Sequence, residues 1–130
     1  MPDDDWPGNP GPDTTEYTVL EDGEVVGFAQ WYFEPDPDYR HAGIDLFLSA
    51  SVQGRGLGTE VVRVLCAHLI DDHHHHRLVI DPKVENTAAI ACYRKVGFKD
   101  VGVMREYEMR HDGTWDDGLL MDLLAREFVR

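Results

Sequence analysis

The sequence is short of positive charge. Twelve Lys and Arg stand against 25 Asp and Glu in 130 residues, a formal charge of −13. A nucleic-acid binder needs a basic face to neutralise phosphates, so the balance argues against that class. The surplus of carboxylates suits a cationic partner such as a polyamine or an amino-sugar, and it equally suits a salt-adapted or merely soluble surface. Long apolar runs are missing as well: none approaches the ~18 residues with which a helix crosses a bilayer. The N-terminus, Met1-Pro2-Asp3-Asp4-Asp5, is acidic where an export signal is basic. No membrane and a cytoplasmic location are therefore expected. Cysteine is scarce. Cys66 and Cys92 stand apart in helix-like stretches with no C-x-x-C pair, as two reduced, buried thiols would. Hydrophobic residues still make up 42 % of the chain, enough for a core.

Residues 1–16 hold four prolines, two glycines and four aspartates, and read as a flexible acidic arm with little to bury. Regular signals begin at Tyr17, and residues 17–130 read as one domain. Tyr17–Leu20 and Val25–Phe33 are strands joined by Asp22-Gly23, a dipeptide that supplies the positive φ of a tight hairpin turn. Pro35 and Pro37 open an acidic loop, and a third strand runs from Ala42 to Leu48. Val61, Val62, Val64, Leu65, Leu69 and Ile70 crowd most of a helix, which should therefore be largely covered. Leu78-Val79-Ile80 reads as a buried strand. A second helix starts at Asn86, a good N-cap, and ends at Gly97, a C′ glycine with Phe98 folded back on the last turn. Strands near Val101–Met109 and Trp115–Leu123 close a mixed α/β domain.

Gln53-Gly54-Arg55-Gly56-Leu57-Gly58 lies between a strand and a helix, where glycines let backbone N–H groups face an anion at the helix N-terminus. Thr59 stands where a dinucleotide fingerprint needs its third glycine, and no Gly-Lys-Ser/Thr follows. By glycine count alone an ordinary turn is as good a reading. The pattern Gln-x-x-Gly-x-Gly after a strand resembles the coenzyme A loop of the GNAT acetyltransferases. Asp81-Pro82, Asn86, Ala89-Ile90, Tyr93, Lys95 and Gly97-Phe98 resemble the second half of that family's cofactor site. With Gly43-Ile44-Asp45 and Gly27-Phe28-Ala29-Gln30, the likeness is to the aminoglycoside 6′-N-acetyltransferase branch, from about Tyr17 to Leu124.

The resemblance implies a GNAT-like mixed sheet with flanking helices and acetyl-CoA as cosubstrate. It implies that the loop Gln53, Gly54, Arg55, Gly56, Leu57 and Gly58, with Thr59, holds the pyrophosphate. Leu46, Phe47 and Leu48 would splay from Leu78–Ile80 and pair with the pantetheine arm, with Asn86 bonding nearby. Tyr93 would offer its hydroxyl to the thioester sulfur as general acid. Asp45 would orient the acceptor's ammonium and take its proton, since only a free amine attacks a thioester. Direct transfer in a ternary complex to a primary amine is the implied activity, with a cationic small molecule such as an aminoglycoside as acceptor. A non-catalytic acetyl-CoA-binding or interaction domain, or a transferase acting on a protein N-terminus or a polyamine, remain alternatives.

The same residues have plainer readings. Asn86 caps a helix whether or not a ligand binds, Tyr93 on an apolar helix face suits a core, and an acid on a strand such as Asp45 suits the solvent face. Asp81 helps attract a cation or caps its loop. Trp115 and Asp116, with Asp117 and the acidic loop Glu34–Asp38, rim a pocket for a polycation or form solvated turns. His73–His76 reads as a loop after a helix C-terminus, where cations favour the dipole, and no metal is expected. The family's opening strand and two helices have no counterpart in residues 1–16. Tyr17–Leu20 should then be an exposed edge, closed by the arm or by a second copy in a homodimer.

Overall fold

The computed structural model describes residues 14–54 and 56–130; the arm up to residue 13 and Arg55 of the loop lie outside the described residues. β1 (Thr14–Glu21) and β2 (Glu24–Phe33) form the expected hairpin, with Asp22 at φ 52° and Gly23 at φ 83° in its turn. β3 (Ala42–Leu48), α1 (Leu57–Ala67), β4 (Arg77–Ile80), α2 (Thr87–Val96), β5 (Lys99–Met109) and β6 (Trp115–Leu124) follow. Two differences from the sequence reading stand out. Thr14, Thr15 and Glu16, assigned above to the arm, extend β1 by pairing with Tyr32, Trp31 and Gln30, because a neighbouring strand can order residues that bury little themselves. The first helix widens into a π-turn at His68–Asp72, and Val64 is exposed on it.

The sheet has the order β1-β2-β3-β4-β6-β5, antiparallel throughout except between β3 and β4. β1 and β5 are its edges, and among the described residues β1 pairs with β2 alone. Both helices pack on one face: Val62, Leu65, Ile90 and Val96 share a buried core with Ile44, Leu78 and Met121. Each such side chain contributes roughly 1.5–3 kcal/mol on leaving water. Strict alternation then turns Gln30, Tyr32, Asp45 and Phe47 to the other face, where the described residues place no helix and Phe47 is 57 % exposed.

The sheet opens where β3 meets β4. Their parallel register consists of Ala42↔Leu78 and Gly43↔Val79. Beyond it β3 keeps to β2, out to Gly27↔Leu48. The chain after β4 keeps instead to β6: Leu119 N–H donates to Pro82 O at 2.8 Å, Lys83 bridges Gly118, and Val84 N–H donates to Asp117 O at 3.0 Å. Two three-stranded halves therefore diverge, and β3 from Ile44 onward has backbone groups on its β4 side that the sheet does not satisfy.

Candidate functional site

At one end of this gap lies the start of α1. Gly54 and Gly56 hold φ of 82° and 81°, and a Cβ on either would meet nothing within 4 Å. Gly56 is the N-cap and supplies no side-chain cap, so the positive end of the helix dipole lies at this glycine turn. Glu60 N–H is satisfied by Gly56 O at 3.1 Å, and among the described residues the Leu57, Gly58 and Thr59 N–H groups have no backbone acceptor. Gln53 does something the pattern did not reveal: its Nε2 donates to Leu48 O at 2.9 Å, tying the loop to the end of β3. Gly58 lies against the Leu46 and Leu48 side chains. The glycine turn and the stretch Leu46, Phe47 and Leu48 that β4 leaves unpaired are thus contiguous.

The middle of the gap is acidic. Asp45 sits opposite Gln30 in the register and accepts from its Nε2 at 2.9 Å. That bond fixes the amide's orientation and leaves Gln30 Oε1 buried with no hydrogen-bond partner. Burial raises the Asp45 carboxyl above its ordinary value, and the Gln30 bond only partly offsets this. Tyr32 crosses β3 over Gly43, where a Cβ would lie 2.0 Å from the ring. Its phenol is pushed up to about 12 by burial, Asp45 and Asp81. Asp81, just past β4, accepts from the Tyr107 hydroxyl at 2.7 Å, and its carboxyl is raised by burial. Tyr93 reaches the same gap from α2. It is 7 % exposed, stacks edge-on against Phe98 at 6.3 Å, and is raised to about 12 by burial, then Cys92, Asp45 and Asp81.

Asp45, Asp81 and Tyr93 are therefore near enough to feel one another's charge. Trp115 and Asp116 are placed otherwise. Asp116 is 6 % exposed and spent on an ion cluster, with Arg110 Nε at 2.6 Å and Lys83 Nζ at 3.1 Å, so its carboxylate is not open to a cationic ligand. Trp115 is half exposed at the far end of β6. Glu34 and Asp36 spend carboxylate oxygens on backbone N–H groups of their own loop. Asn86 Oδ1 accepts from Ala89 N–H at 3.2 Å, the cap expected of it. The histidine run leaves α1 as a loop, with its His73 and His74 carbonyls held by Arg40 and His75 buried. Among the described residues no three His, Cys, Asp or Glu side chains are grouped to hold a metal, and no helix is long and apolar enough to cross a membrane. Gln30, Tyr32 and Tyr107 were not singled out as site residues, because cross-strand register decides what they face.

A diverging sheet with an open helix N-terminus at its mouth calls for comparison with known folds. Residues 2–98 match the Acetyltransferase (GNAT) family. The chain belongs to the GNAT acetyltransferases. Enzymes of that family use acetyl-CoA. This GNAT chain is 38 % identical over 102 residues to "Aminoglycoside N(6')-acetyltransferase type 1" of Klebsiella pneumoniae, covering 69 % of the chain and 50 % of that protein. It thus spans about half the length of that relative. Among solved structures, a "Probable acetyltransferase" superposes with a TM-score of 0.81 at 25 % identity over 90 % of this chain and 65 % of that one. The aminoglycoside acetyltransferase AAC(6')-Ib in complex with coenzyme A superposes at 0.68 with 32 % identity over 88 % and 68 % of the two chains. The GNAT fold expected from the motifs is the fold found.

Proposed function

We propose that the chain transfers an acetyl group from acetyl-CoA to a primary amine of a cationic small molecule, with an aminoglycoside as the favoured acceptor. The observation that carries this is the acidic gap itself: Asp45 on β3 and Asp81 just past β4 flank the place where those two strands part. The likeness to aminoglycoside acetyltransferases supports the choice of acceptor. Acetyl-CoA supplies the activated acyl group. The open turn Gly56–Thr59, with Gly54 and Arg55 before it, holds its pyrophosphate. The backbone of Leu46–Leu48 that the sheet leaves unpaired, apart from the Leu48 carbonyl held by Gln53, pairs with its amide-bearing arm, and Asn86 follows β4 on the other side of the gap.

Asp45 orients the acceptor's ammonium and accepts one proton from it, directly or through water, which frees the nitrogen lone pair. Gln30 Oε1, buried and unpaired, accepts from the same nitrogen. Asp81 holds a second ammonium, so acceptors with two or more amines are preferred over monoamines. Tyr93 presents its hydroxyl to the leaving sulfur. A phenol near 12 is a weaker acid than a thiol at about 8.5, so Tyr93 steadies the developing thiolate mainly as a hydrogen-bond donor. Tyr93→Phe should accordingly lower kcat by about ten- to a hundred-fold and leave the melting temperature nearly unchanged, because the buried ring remains. A melting loss as large as the rate loss would assign Tyr93 to the core alone.

Thiol release measured with acetyl-CoA against aminoglycosides, polyamines and a no-acceptor control tests the whole reading. Turnover with aminoglycosides supports it, and turnover with linear polyamines alone moves the acceptor class. Silence across the panel, in protein that acetyl-CoA protects against melting, favours a binding domain. Among the described residues β1 is an edge strand of the sheet, where a second copy would add a strand, so a homodimer belongs to the same proposal; a monomer by sedimentation at micromolar concentration would remove it.

A further inference from the structure

β5 and β6 fall out of step in a telling place. Met104 pairs with Gly118 and Glu108 with Asp116, so Arg105, Glu106 and Tyr107 stand opposite Asp117 alone. Such a bulge bends a strand and re-aims side chains. Glu106 takes the left-handed conformation at φ 49°, and its N–H donates to Asp117 Oδ1 at 2.8 Å, which pins the distortion. The result carries the Tyr107 ring across β6 at Gly118, where a Cβ would lie 3.0 Å from it, to reach Asp81 at 2.7 Å. A glutamate at positive φ is costly without a purpose.

We propose that Tyr107 is a positioning residue of the acceptor site: the bulge delivers it over Gly118 so that its hydroxyl holds the Asp81 carboxylate oriented and ionised for an acceptor ammonium. This rests on the function proposed above. The groups facing Asp81 make the need plain. Asp45 from β3 and Glu108 from β5 oppose its charge together with burial, while Tyr107 is the side chain that favours it. Tyr32 from β2 and Tyr93 from α2 also feel Asp81 and remain neutral phenols. Without Tyr107 the carboxyl would gain a proton at higher pH, and a neutral acid cannot pair with an ammonium.

Tyr107→Phe keeps the half-exposed ring and removes the donor. The expected result is a rise of about five-fold in acceptor KM, within the range of one charge-assisted hydrogen bond at a solvent-reached site. Expected beside it are a nearly unchanged kcat and acetyl-CoA KM, and an acid limb for acceptor binding displaced to higher pH. In an Asp81→Asn background the same substitution should add little. Carboxylate NMR of the free protein should show Asp81 titrating at higher pH in Tyr107→Phe, a readout that needs no turnover. An unmoved Asp81 titration, or an equal KM effect in both backgrounds, overturns the proposal. A displaced titration in protein that acetylates no cationic acceptor upholds the hold on Asp81 and overturns the proposed activity instead.

Discussion

Asp45→Asn is expected to lower turnover about 10²- to 10⁴-fold, the usual weight of a general base, while acetyl-CoA affinity stays within about two-fold. The two effects separate because Asp45 lies on the sheet face opposite the helices, whereas the anion cradle is made from the backbone of α1. Gln30 can still donate to the asparagine oxygen, so the pair keeps its shape. Burial raises the folded-state carboxyl above its unfolded value. In the wild type, kcat/KM should therefore climb with pH as Asp45 ionises, along a limb displaced upward from the ordinary carboxylate range. The stability consequence has the opposite sense. A raised folded pKa contributes stability below the unfolded value and loses it as pH rises through the folded value, so at neutral pH the buried charge is a cost. Asp45→Asn should then melt slightly higher than wild type at pH 7 and show no such advantage at pH 3. Unchanged turnover would remove Asp45 from the chemistry, and a large fall in melting temperature at pH 7 would contradict its electrostatics.

Gly97→Ala should be strongly destabilising, because there a backbone clash adds to a left-handed φ. Gly97 ends α2 at φ 119°, and its N–H closes back on Arg94 O at 3.1 Å while Phe98 N–H reaches Tyr93 O. A Cβ there would meet the Glu127 carbonyl oxygen at 2.6 Å and Leu123 Cδ1 at 3.0 Å. The left-handed backbone costs an L residue about 1–2 kcal/mol, and overpacking against backbone adds about 1–3 kcal/mol. A loss of about 3 kcal/mol is a large part of the ~5–15 kcal/mol that holds a domain together, and should lower the melting temperature by roughly 10 °C. Gly113→Ala is the matching control: φ is 88°, but nothing lies within 4 Å of its Cβ, so only the backbone penalty remains. Equal melting losses for the two would show that strain at φ, not the packing of the C-terminal turn on α2, sets the cost. Because α2 carries Tyr93, the Gly97 variant should also lose activity below its melting point as that helix end loosens.

The element order was legible because its signals are local. The Asp22-Gly23 hairpin turn, the Asn86 cap and the Gly97 stop each depend on a few neighbouring residues, and each occurs where the sequence puts it. The glycine turn before α1 was legible in the same way, and Gly54 and Gly56 do take positive φ there. Asp116 was misplaced as a pocket residue for the opposite reason. Its partners, Arg110 and Lys83, come from β5's end and the post-β4 segment, and no spacing in the chain shows that they converge on it.

By itself the sequence determined the elements and the glycine turn before α1, and it offered Asp45 and Tyr93 as candidates, because helix and strand periodicity and turn chemistry act within a few residues. Only the tertiary structure decided that β3 and β4 part after two paired positions, that Gln30 faces Asp45, and that a bulge sends Tyr107 over Gly118 to Asp81. Those outcomes depend on register between strands distant in the chain. A one-residue slip would send every one of these side chains to the other face.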